Sequence, residues 1–500
     1  MQIAIRYLLA LAVFCTGSTC NATEKQPNLL FFFVDDMGWQ DTSVPFHSEP
    51  TALNRDYRTP NMAKLASRGL RFTNAYACSI CSPSRVSLMT GQNAARHKVT
   101  CWTLRKDTSP ARPGKQFLPA NWNLNGLQPA GDTTQRSIAQ ECLPELLRKG
   151  GYRTIHAGKG HFGAQGTPGA NPLNLGFDVN IAGSYMGGPG SYHGDHNFSA
   201  AWRGGGSIWD VPGLEKYHGQ EINLTEAVTR EAIRAVEKAV VDKTPFYLYM
   251  SHYAVHAPFE PDRRFLPNYA NENWNQHKKK YASMIESMDK SLGDLLKTID
   301  RLGVTEETIV IFMSDNGSPQ NNPRNLPLRG HKISGYEGGN RVPLIINWPG
   351  VTAMGKRNAT PVIIEDIFPT LLELAHLEAP DCDGQSWVPI LKDNTAPPET
   401  PRELLWHYPN FYNQPPYSSL RLGDWKLLYW HKSQSFELFN LASDIGENTN
   451  VASKHPDRLR NMATRLDRQL RDKKAQFATV KATGKPIPFP LEALKAQLEK

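Results

Sequence analysis

The sequence predicts an α/β fold in which a large mixed, mostly parallel sheet is sandwiched by helices, with a smaller antiparallel sheet in a C-terminal subdomain. Three observations support this prediction. Apolar runs of strand length alternate with amphipathic helical patterns up to about residue 375. Four of these runs end in polar or charged residues. Beyond residue 375 the pattern changes to short hairpin strands and one charged helix.

The elements of the first region follow one another in chain order. Asn28–Val34 is apolar throughout, which is typical of a strand buried on both faces. Thr59 and Pro60 begin a helix at about 61–67, and Gly69 ends it. The remaining predictions are helices near 137–148, at 225–241 and along an apolar stripe at 281–299, and strands at 152–157, Phe246–Ser251 and 309–313.

The C-terminal region and the long connections complete this scheme. Residues 421–430 and 435–441 are predicted as short hairpin strands, and 456–474 as a helix. The segments 106–132 and 163–219 are rich in glycine and proline, and we expect them to be loops that shape the mouth of a pocket. We therefore expect a main α/β domain at 23–375 and an α+β subdomain at 376–500.

Residues 1–22 have the pattern of a secretory signal peptide. Arg6 precedes an apolar run, and small and polar residues follow up to Cys20-Asn21-Ala22. Lipidation of Cys20 is not expected, because Thr19 and Gly17 do not fit the positions before it. No later apolar run approaches the ~18 residues of a membrane-spanning helix. We expect an exported protein of the periplasm or the extracellular space.

The net charge of +8 is mild for 500 residues. It would help to attract a polyanion, but a solvated surface with scattered lysines is the better explanation. The run Lys278-Lys279-Lys280 opens a helix and is expected to be exposed, and nothing resembles a nucleic-acid-binding module. Five cysteines lie beyond the predicted signal peptide, and an odd number in an exported protein indicates one that is not structural. Cys81 is that candidate, and pairing among the others stays open: Cys78, Cys101, Cys142 and Cys382.

The most informative segment begins at Cys81. Pro83 suits the first turn of a helix and Gly91 suits its end, so Cys81 is expected just before a helix N-terminus. Such an end favours an anion, and Arg85 adds a permanent charge about one turn on. A sulfur nucleophile, an anion site and an arginine suit an oxyanion ester. A buried cysteine beside a helix cap is the alternative.

Polar residues from the four strand ends are expected to meet, since ligands bind at the carboxyl ends of parallel strands. Asp35, Asp36, Asp315 and Asn316 offer oxygen ligands only, which suit Ca²⁺ or Mg²⁺ rather than Zn²⁺. Each pair alone is more often part of a turn, and only together do they favour a metal. The other strand ends supply Lys159, His161, His252 and His256.

The segment from Cys81 to Gly91 resembles the C-x-P-S-R-x-x-x-x-T-G signature of the type I, arylsulfatase-like sulfatases. This resemblance implies an alkaline-phosphatase-like fold and oxidation of Cys81 to formylglycine, whose hydrated aldehyde is the nucleophile. Gln92 stands where the family usually has Arg. The family's D-D and D-N-G motifs imply one calcium ion bound by Asp35, Asp36, Asp315 and Asn316, together with the modified Cys81.

Three further motifs match the family. In Gly158-Lys159-Gly160-His161 the resemblance implies that Lys159 binds the sulfate and His161 hydrogen-bonds the formylglycine hydroxyl; Gly160 replaces the usual Trp. His256 matches the acid that protonates the leaving alcohol, and His252 is the competitor for that role. Lys332, in the block that continues to Pro343, matches a clamp on a sulfate oxygen, whereas Glu337 and Arg341 are expected to be structural.

This set predicts a sulfuric ester hydrolase. Arg85, Lys159, Lys332 and the metal would supply positive charge where the transition state gains negative charge. The expected substrate is a sulfated polysaccharide or its oligosaccharides, and the expected partner is a formylglycine-generating maturation enzyme. Two alternatives remain: a phosphodiesterase or phosphonate hydrolase on the same scaffold, and a non-catalytic protein that binds sulfated glycans because Cys81 is never converted.

Overall fold

A computed structural model describes residues 25–319, 325–394 and 401–499. The predicted signal peptide, residues 1–22, lies outside the described residues. Among the described residues, no helix combines the length and the apolar character that crossing a membrane requires.

An eight-stranded mixed sheet forms the centre of the molecule. Seven strands share one direction, and only Leu344–Asn347 runs against its two neighbours. The order across the sheet is Arg357–Asn358, Leu70–Phe72, Leu344–Asn347, Thr308–Ser314, Asn28–Val34, Phe246–Ser251, Arg153–Gly158 and Val179–Ile181. The predicted large, mostly parallel sheet is confirmed.

Helices cover both faces of this sheet. Alternate side chains of Asn28–Val34 point to opposite faces, and all of them are buried. Phe31 and Phe33 pack with one set of helices: Cys81–Thr90, Leu143–Lys149 and Ile367–Leu374. Leu30 and Phe32 pack with the other set: Pro60–Arg68, Leu224–Val241 and Gln276–Arg301. Two hydrophobic layers therefore enclose the sheet, as the sequence predicts.

The C-terminal part contains a four-stranded antiparallel sheet of Glu403–Tyr408, Tyr417–Leu422, Trp425–Trp430 and Ser435–Asn440. Leu420, Leu427 and Leu438 pack against Leu466 and Leu470 of helix Pro456–Asp472. This confirms the smaller antiparallel sheet. The other helices are Ala52–Asp56, Ala94–His97, Glu337–Asn340, Val388–Lys392 and Pro490–Leu498. A small three-stranded sheet has Thr479–Val480 at its centre, between Phe117–Leu118 and Lys485–Pro486. A two-stranded sheet pairs Ala75–Tyr76 with Val362–Ile363.

Three predictions of secondary structure need correction. The helix predicted at 137–148 begins only at Leu143, because Pro144 is tolerated in a first turn and not inside a helix. Ile138–Ala139 is instead a short strand beside Leu127–Gln128. The 163–219 segment includes the edge strand Val179–Ile181. Cys81 is the first residue of its helix rather than the residue before it.

The prediction that the whole lysine run is exposed is wrong at Lys278. Its side chain is buried, with Nζ 2.6 Å from Oδ2 of Asp56 and 3.9 Å from the ring centre of Trp274. A carboxylate and an aromatic face together compensate the burial of its charge. The run does open a helix, Gln276–Arg301.

Candidate active site

Four adjacent parallel strands deliver polar side chains to one edge of the sheet, as predicted. Backbone pairing continues past the strand ends: the N–H of Asp35 donates to the carbonyl of Ala254 over 2.9 Å, and that of Asp315 donates to Val34 over 3.1 Å. These bonds fix the first residue after each strand. The residues brought to this edge are Asp35, Asp36, Lys159, His161, His252, His256, Asp315 and Asn316.

Cys81 meets this edge from one face of the sheet. Its helix, Cys81–Thr90, ends at Gly91, whose φ of 65° is a left-handed conformation that glycine adopts without strain. The Cys81 side chain is buried. Burial raises the pKa of its thiol, and Lys159 and Lys332 only partly oppose this effect. The unmodified thiol is therefore protonated at neutral pH.

The five cysteines in the described part of the chain are all unpaired. Cys78, Cys101 and Cys142 are buried, and burial raises the pKa of each thiol. They behave as small apolar side chains of the core.

Three carboxylates form a compact cluster beside Cys81. One oxygen from each of Asp35, Asp36 and Asp315 lies within 4.8 Å of the others, and all three side chains are buried. Among the residues that the structure describes, Oδ1 of Asp35 and Oδ1 of Asn316 find no hydrogen-bond partner. Buried acceptors without partners are unfavourable, and oxygen atoms alone suit a hard cation. The donor set thus fits a calcium ion.

Two carboxylates of the cluster also pair with lysines. Nζ of Lys159 lies 2.6 Å from Oδ2 of Asp35, and Nζ of Lys332 lies 2.6 Å from Oδ1 of Asp36. Burial alone would raise the pKa of Asp36, but Lys332, His256 and Lys159 outweigh it and hold that pKa below its usual range. The pKa of Asp35 is raised, by burial and by its neighbour Asp315.

Arg85 lies beneath the cluster and is fully buried. Its guanidinium donates to Oδ2 of Asp315 through Nε at 3.2 Å and Nη2 at 2.8 Å. Nη1 donates to Oγ of Ser251 over 2.6 Å and to the carbonyl of Lys159 over 3.2 Å. Arg85 therefore ties together three of the four strand ends.

Two histidines complete the site. Nε2 of His161 lies 2.7 Å from the carbonyl oxygen of Thr103. Nδ1 of His256 lies 2.7 Å from the carbonyl of Ala257, which leaves Nε2 facing the cluster, 3.8 Å from Oδ2 of Asp36. Burial, with Lys332 adding to it, lowers the pKa of His256 to about 3.

His252 lies apart from this group. Its ring is buried in the core, with Nε2 2.8 Å from Oγ of Ser291. Burial lowers its pKa to about 3. The competitor for the role of His256 is therefore a core histidine that faces a helix.

A cavity of about 310 Å³ opens above these groups. Asp36, Cys81, His161, His256 and Lys332 line it, whereas Asp35, Arg85, Lys159, Asp315 and Asn316 lie behind them. The rest of the wall is mainly apolar: Ile80, Trp102, Gly187, Trp209, Ala257, Phe259, Pro319, Ile333, Tyr412 and Asn413. The predicted mouth segment 163–219 supplies Gly187 and Trp209; none of these described wall residues comes from 106–132.

Sequence reasoning did not single out Trp102 and Trp209 of the aromatic wall, nor two glycines. Trp102 and Tyr412 form an edge-to-face pair, with ring centres 5.7 Å apart. A Cβ on Gly187 would lie 2.7 Å from Cε1 of His161, and one on Gly188 would lie 2.7 Å from Nδ1 of His256. The Gly187-Gly188 dipeptide was the available signal, since adjacent glycines often mark a close approach of the backbone.

Glu337 and Arg341 are structural, as expected. Glu337 is buried and accepts hydrogen bonds from Tyr76 at 2.7 Å and Lys426 at 2.9 Å. Nη1 of Arg341 lies 3.3 Å from Oε2 of Glu337. Because Lys426 belongs to the C-terminal sheet, this network attaches the segment that carries Lys332 to that sheet.

Comparisons with known proteins agree with this arrangement. Residues 27–377 match the family model described as Sulfatase, and residues 331–476 match the model described as N-sulphoglucosamine sulphohydrolase, C-terminal. A protein named "Sulfatase" from Formosa agariphila is 26% identical, over 94% of this chain and 92% of its own length. An N-acetylgalactosamine-6-sulfatase from Mus musculus is 28% identical, over 89% of this chain and 80% of its own.

A solved structure agrees at the level of the whole fold. The crystal structure of Ps i-CgsB in complex with k-i-k-neocarrahexaose has a TM-score of 0.73 and 26% identity, and the alignment covers 95% of this chain and 98% of that one. The family model spans well over half of the chain. This chain belongs to the sulfatase family and is a sulfuric ester hydrolase.

Proposed function

We propose that this protein hydrolyses sulfate monoesters on a sulfated polysaccharide or its oligosaccharides. The observation that carries this proposal is the cavity, in which Cys81, two histidines and Lys332 share the wall with the rings of Trp102, Trp209 and Tyr412. Cationic groups attract a sulfate, and aromatic faces suit a sugar ring. A relative is named as an N-acetylgalactosamine-6-sulfatase, and a structural neighbour was solved with a neocarrahexaose.

The proposed nucleophile is a formylglycine made from Cys81. When formed, its hydrated aldehyde supplies the hydroxyl that attacks sulfur. The raised pKa of the Cys81 thiol supports this proposal, because a protonated thiol is a weak nucleophile. His161 lies on the same cavity wall, and Nδ1 of its ring has no partner in the described residues. That nitrogen is therefore free to accept a hydrogen bond from the nucleophile.

We propose one calcium ion, bound by Asp35, Asp36, Asp315, Asn316 and the modified Cys81. When bound, it supplies positive charge to the sulfate oxygens. Oδ1 of Asp35 and Oδ1 of Asn316, which lack a hydrogen-bond partner within 25–319, 325–394 and 401–499, support this assignment. Arg85 holds Asp315 through two hydrogen bonds, so its proposed part is to orient a metal ligand.

Lys332 and His256 are proposed to act on the substrate itself. Lys332 lines the cavity and would bind a sulfate oxygen, whereas Lys159 lies behind it and would neutralise Asp35 and strengthen the positive field. Nε2 of His256 would donate a proton to the leaving alcohol. The free ring is neutral, but the negative charge of a bound sulfate ester favours its protonated form.

Hydrolysis of phosphate diesters or phosphonates with two metals is less well supported. In the described residues, Asp35, Asp36 and Asp315 are the one cluster of His, Cys, Asp or Glu side chains suited to a metal. Lys159 and Lys332 occupy the surrounding positions with permanent positive charges. A single metal next to two lysines suits the singly charged sulfate ester.

We also propose export, from the signal-like pattern of residues 1–22, and maturation by a formylglycine-generating enzyme. Mass spectrometry of the tryptic peptide 72–85, from protein made in its native host, tests the central step. We expect an aldehyde in place of the Cys81 thiol, together with hydrolysis of 4-nitrophenyl sulfate. An intact thiol, in a host that matures other sulfatases, would refute the enzymatic proposal and favour a glycan-binding protein.

A further inference from the structure

The cavity is too small for more than a short piece of a polysaccharide. Its volume of about 310 Å³ lies near the lower end of the ~300–1,000 Å³ typical of ligand pockets. One sulfated sugar ring therefore fills it. Any neighbouring sugar of the same chain must lie on the rim outside, where the protein surface decides whether that sugar is bound.

An exposed indole lies in the chain segment between the cavity residues Gly187 and Trp209. Trp202 is 52% exposed, whereas the other strongly exposed apolar side chains of the described residues are aliphatic: Leu118, Leu173, Val241, Leu326, Met354 and Leu498. One face of its indole stacks on the ring of His196, with ring centres 4.3 Å apart and an angle of 17° between the planes. The 52% exposure leaves part of the indole surface available to a ligand.

Short contacts connect this stack to the cavity. Oγ of Ser191 lies 3.0 Å from Nδ1 of His196 and donates to Oε2 of Glu260 over 2.6 Å; Glu260 follows the cavity residue Phe259 in the chain. The hydroxyl of the next residue, Tyr192, donates to the carbonyl of His256 over 2.8 Å. His196 is therefore anchored to the segment that carries His256.

A second connection runs through the backbone next to Trp202. The N–H of Gly190 donates to the carbonyl of the cavity residue Trp209 over 2.6 Å. A Cβ on Gly190 would lie 2.2 Å from the backbone nitrogen of Ala200. The turn that carries Trp202 therefore packs on the backbone that borders the cavity, and its position relative to the cavity is fixed.

The neighbouring residue adds the matching charge. Arg203 is exposed beside Trp202. An indole face packs on the C–H groups of a sugar ring, and a guanidinium binds a sulfate or carboxylate through two N–H groups. An aromatic plane next to a guanidinium is the surface that a repeating anionic sugar chain requires. Neither residue lines the cavity, so neither contacts the sulfate that is cleaved.

We propose that Trp202, supported by His196 and flanked by Arg203, binds the sugar next to the sulfated sugar in the cavity, so that the enzyme prefers sulfated oligosaccharides to sulfated monosaccharides. This inference rests on the proposed function and assigns a second subsite to it. The platform adds affinity for a longer substrate only. It therefore affects KM on oligosaccharides and leaves the chemistry at Cys81 unchanged.

The test compares kcat/KM on 4-nitrophenyl sulfate with that on sulfated monosaccharides and tetrasaccharides from ι-carrageenan and from chondroitin sulfate. We expect the wild type to prefer one of the tetrasaccharides to its monosaccharide about tenfold. Trp202→Ala should lose about five- to tenfold in kcat/KM on that tetrasaccharide, through KM, with the aryl sulfate unaffected. Trp202→Phe should keep most of the preference, because it keeps an aromatic face.

Val241→Ala serves as the control, since Val241 is 77% exposed at the end of a helix on the opposite edge of the sheet. An unchanged KM on tetrasaccharide in Trp202→Ala would overturn the inference, and so would an equal loss on the aryl sulfate. Hydrolysis of the aryl sulfate without that of any tetrasaccharide would overturn it while leaving the sulfatase chemistry intact. Failure on every substrate with an intact Cys81 thiol would instead overturn the proposed function.

Discussion

Gly188 lies against the ring of His256 so closely that no side chain fits between them. A Cβ on Gly188 would lie 2.7 Å from Nδ1 and 3.0 Å from Cε1 of that ring. Nδ1 is also held by the carbonyl of Ala257 at 2.7 Å. The backbone thus fixes both the plane of the ring and the direction of its free nitrogen, Nε2, toward the cavity.

Gly188→Ala should therefore displace His256. We expect kcat on a sugar sulfate to fall about tenfold to a hundredfold, because a small displacement of a catalytic group is costly. Gly206→Ala is the matched control, since a Cβ there meets open space and its φ of −83° suits alanine. Equal activity of the two variants would contradict the proposed positioning.

Replacement of His256 should lower kcat most on substrates whose leaving group is poor. An alkoxide needs a proton as it leaves, whereas 4-nitrophenolate does not. We expect His256→Ala to lower kcat on a sugar sulfate about 10²- to 10⁴-fold, with a much smaller loss on 4-nitrophenyl sulfate. His252→Asn is the comparison, because His252 faces Ser291 in the core. A similar loss on both substrates would exclude His256 as the proton donor.

Lys159→Met should destabilise the protein, since it leaves Asp35 buried without its 2.6 Å partner. Breaking a buried ion pair costs about 3–5 kcal/mol of the free energy of unfolding, which urea titration in EDTA measures. Excess Ca²⁺ should reduce this cost by supplying another positive charge. Lys216→Met removes an exposed partner of Glu231 and should cost at most about 1 kcal/mol. A larger cost with Ca²⁺ than without it would contradict the proposed site.

Removal of calcium should lower both activity and thermal stability. At a Ca²⁺ concentration about a hundredfold above Kd, binding adds about 2.7 kcal/mol to the free energy of unfolding. Differential scanning calorimetry before and after EDTA measures this change. Asp315→Asn should lose the response to Ca²⁺, whereas Asp289→Asn, which alters a buried carboxylate at a helix N-terminus, should keep it. A response that persists in Asp315→Asn would refute the ligand assignment.

Stability should decrease in mild acid because of buried neutral histidines. Burial, with Arg85 adding to it, lowers the pKa of His156 to about 3. The unfolded chain then binds a proton below about pH 6.5 that the folded chain does not. Above about pH 6.5 the buried neutral ring of His156 costs no stability. As the pH falls from there toward 3, the free energy of unfolding decreases by about 1.4 kcal/mol per pH unit.

His156→Phe tests this linkage, because the ring packs among Phe162, Phe177 and Tyr249. Urea unfolding between pH 6 and 4 gives the free energy of unfolding as a function of pH. In His156→Phe the slope of this free energy against pH should be smaller by the equivalent of one proton. His376→Asn replaces an exposed histidine at a left-handed position that asparagine tolerates, and should leave the slope unchanged. An unaltered slope in His156→Phe would contradict the prediction.

The sequence predicted the layered fold because its signals are local. A strand such as Asn28–Val34 is apolar at every position since both of its faces are covered, and the stripe at 281–299 repeats with the period of a helix. It failed where a single residue overrides a pattern, as Pro144 does at the start of Leu143–Lys149. It failed again at Lys278, where burial depends on Asp56, more than two hundred positions away.

The sequence by itself determined which chemical groups meet at the site, because most of them follow a strand and parallel strands end at one edge. Only the tertiary structure decided their arrangement: Lys159 and Arg85 behind the cavity, Lys332 and His256 within it, and Trp102 and Trp209 on its walls. Depth within a fold and the shape of a cavity depend on segments far apart in the chain. Local sequence cannot encode such distances, so the cavity wall had to be seen in three dimensions.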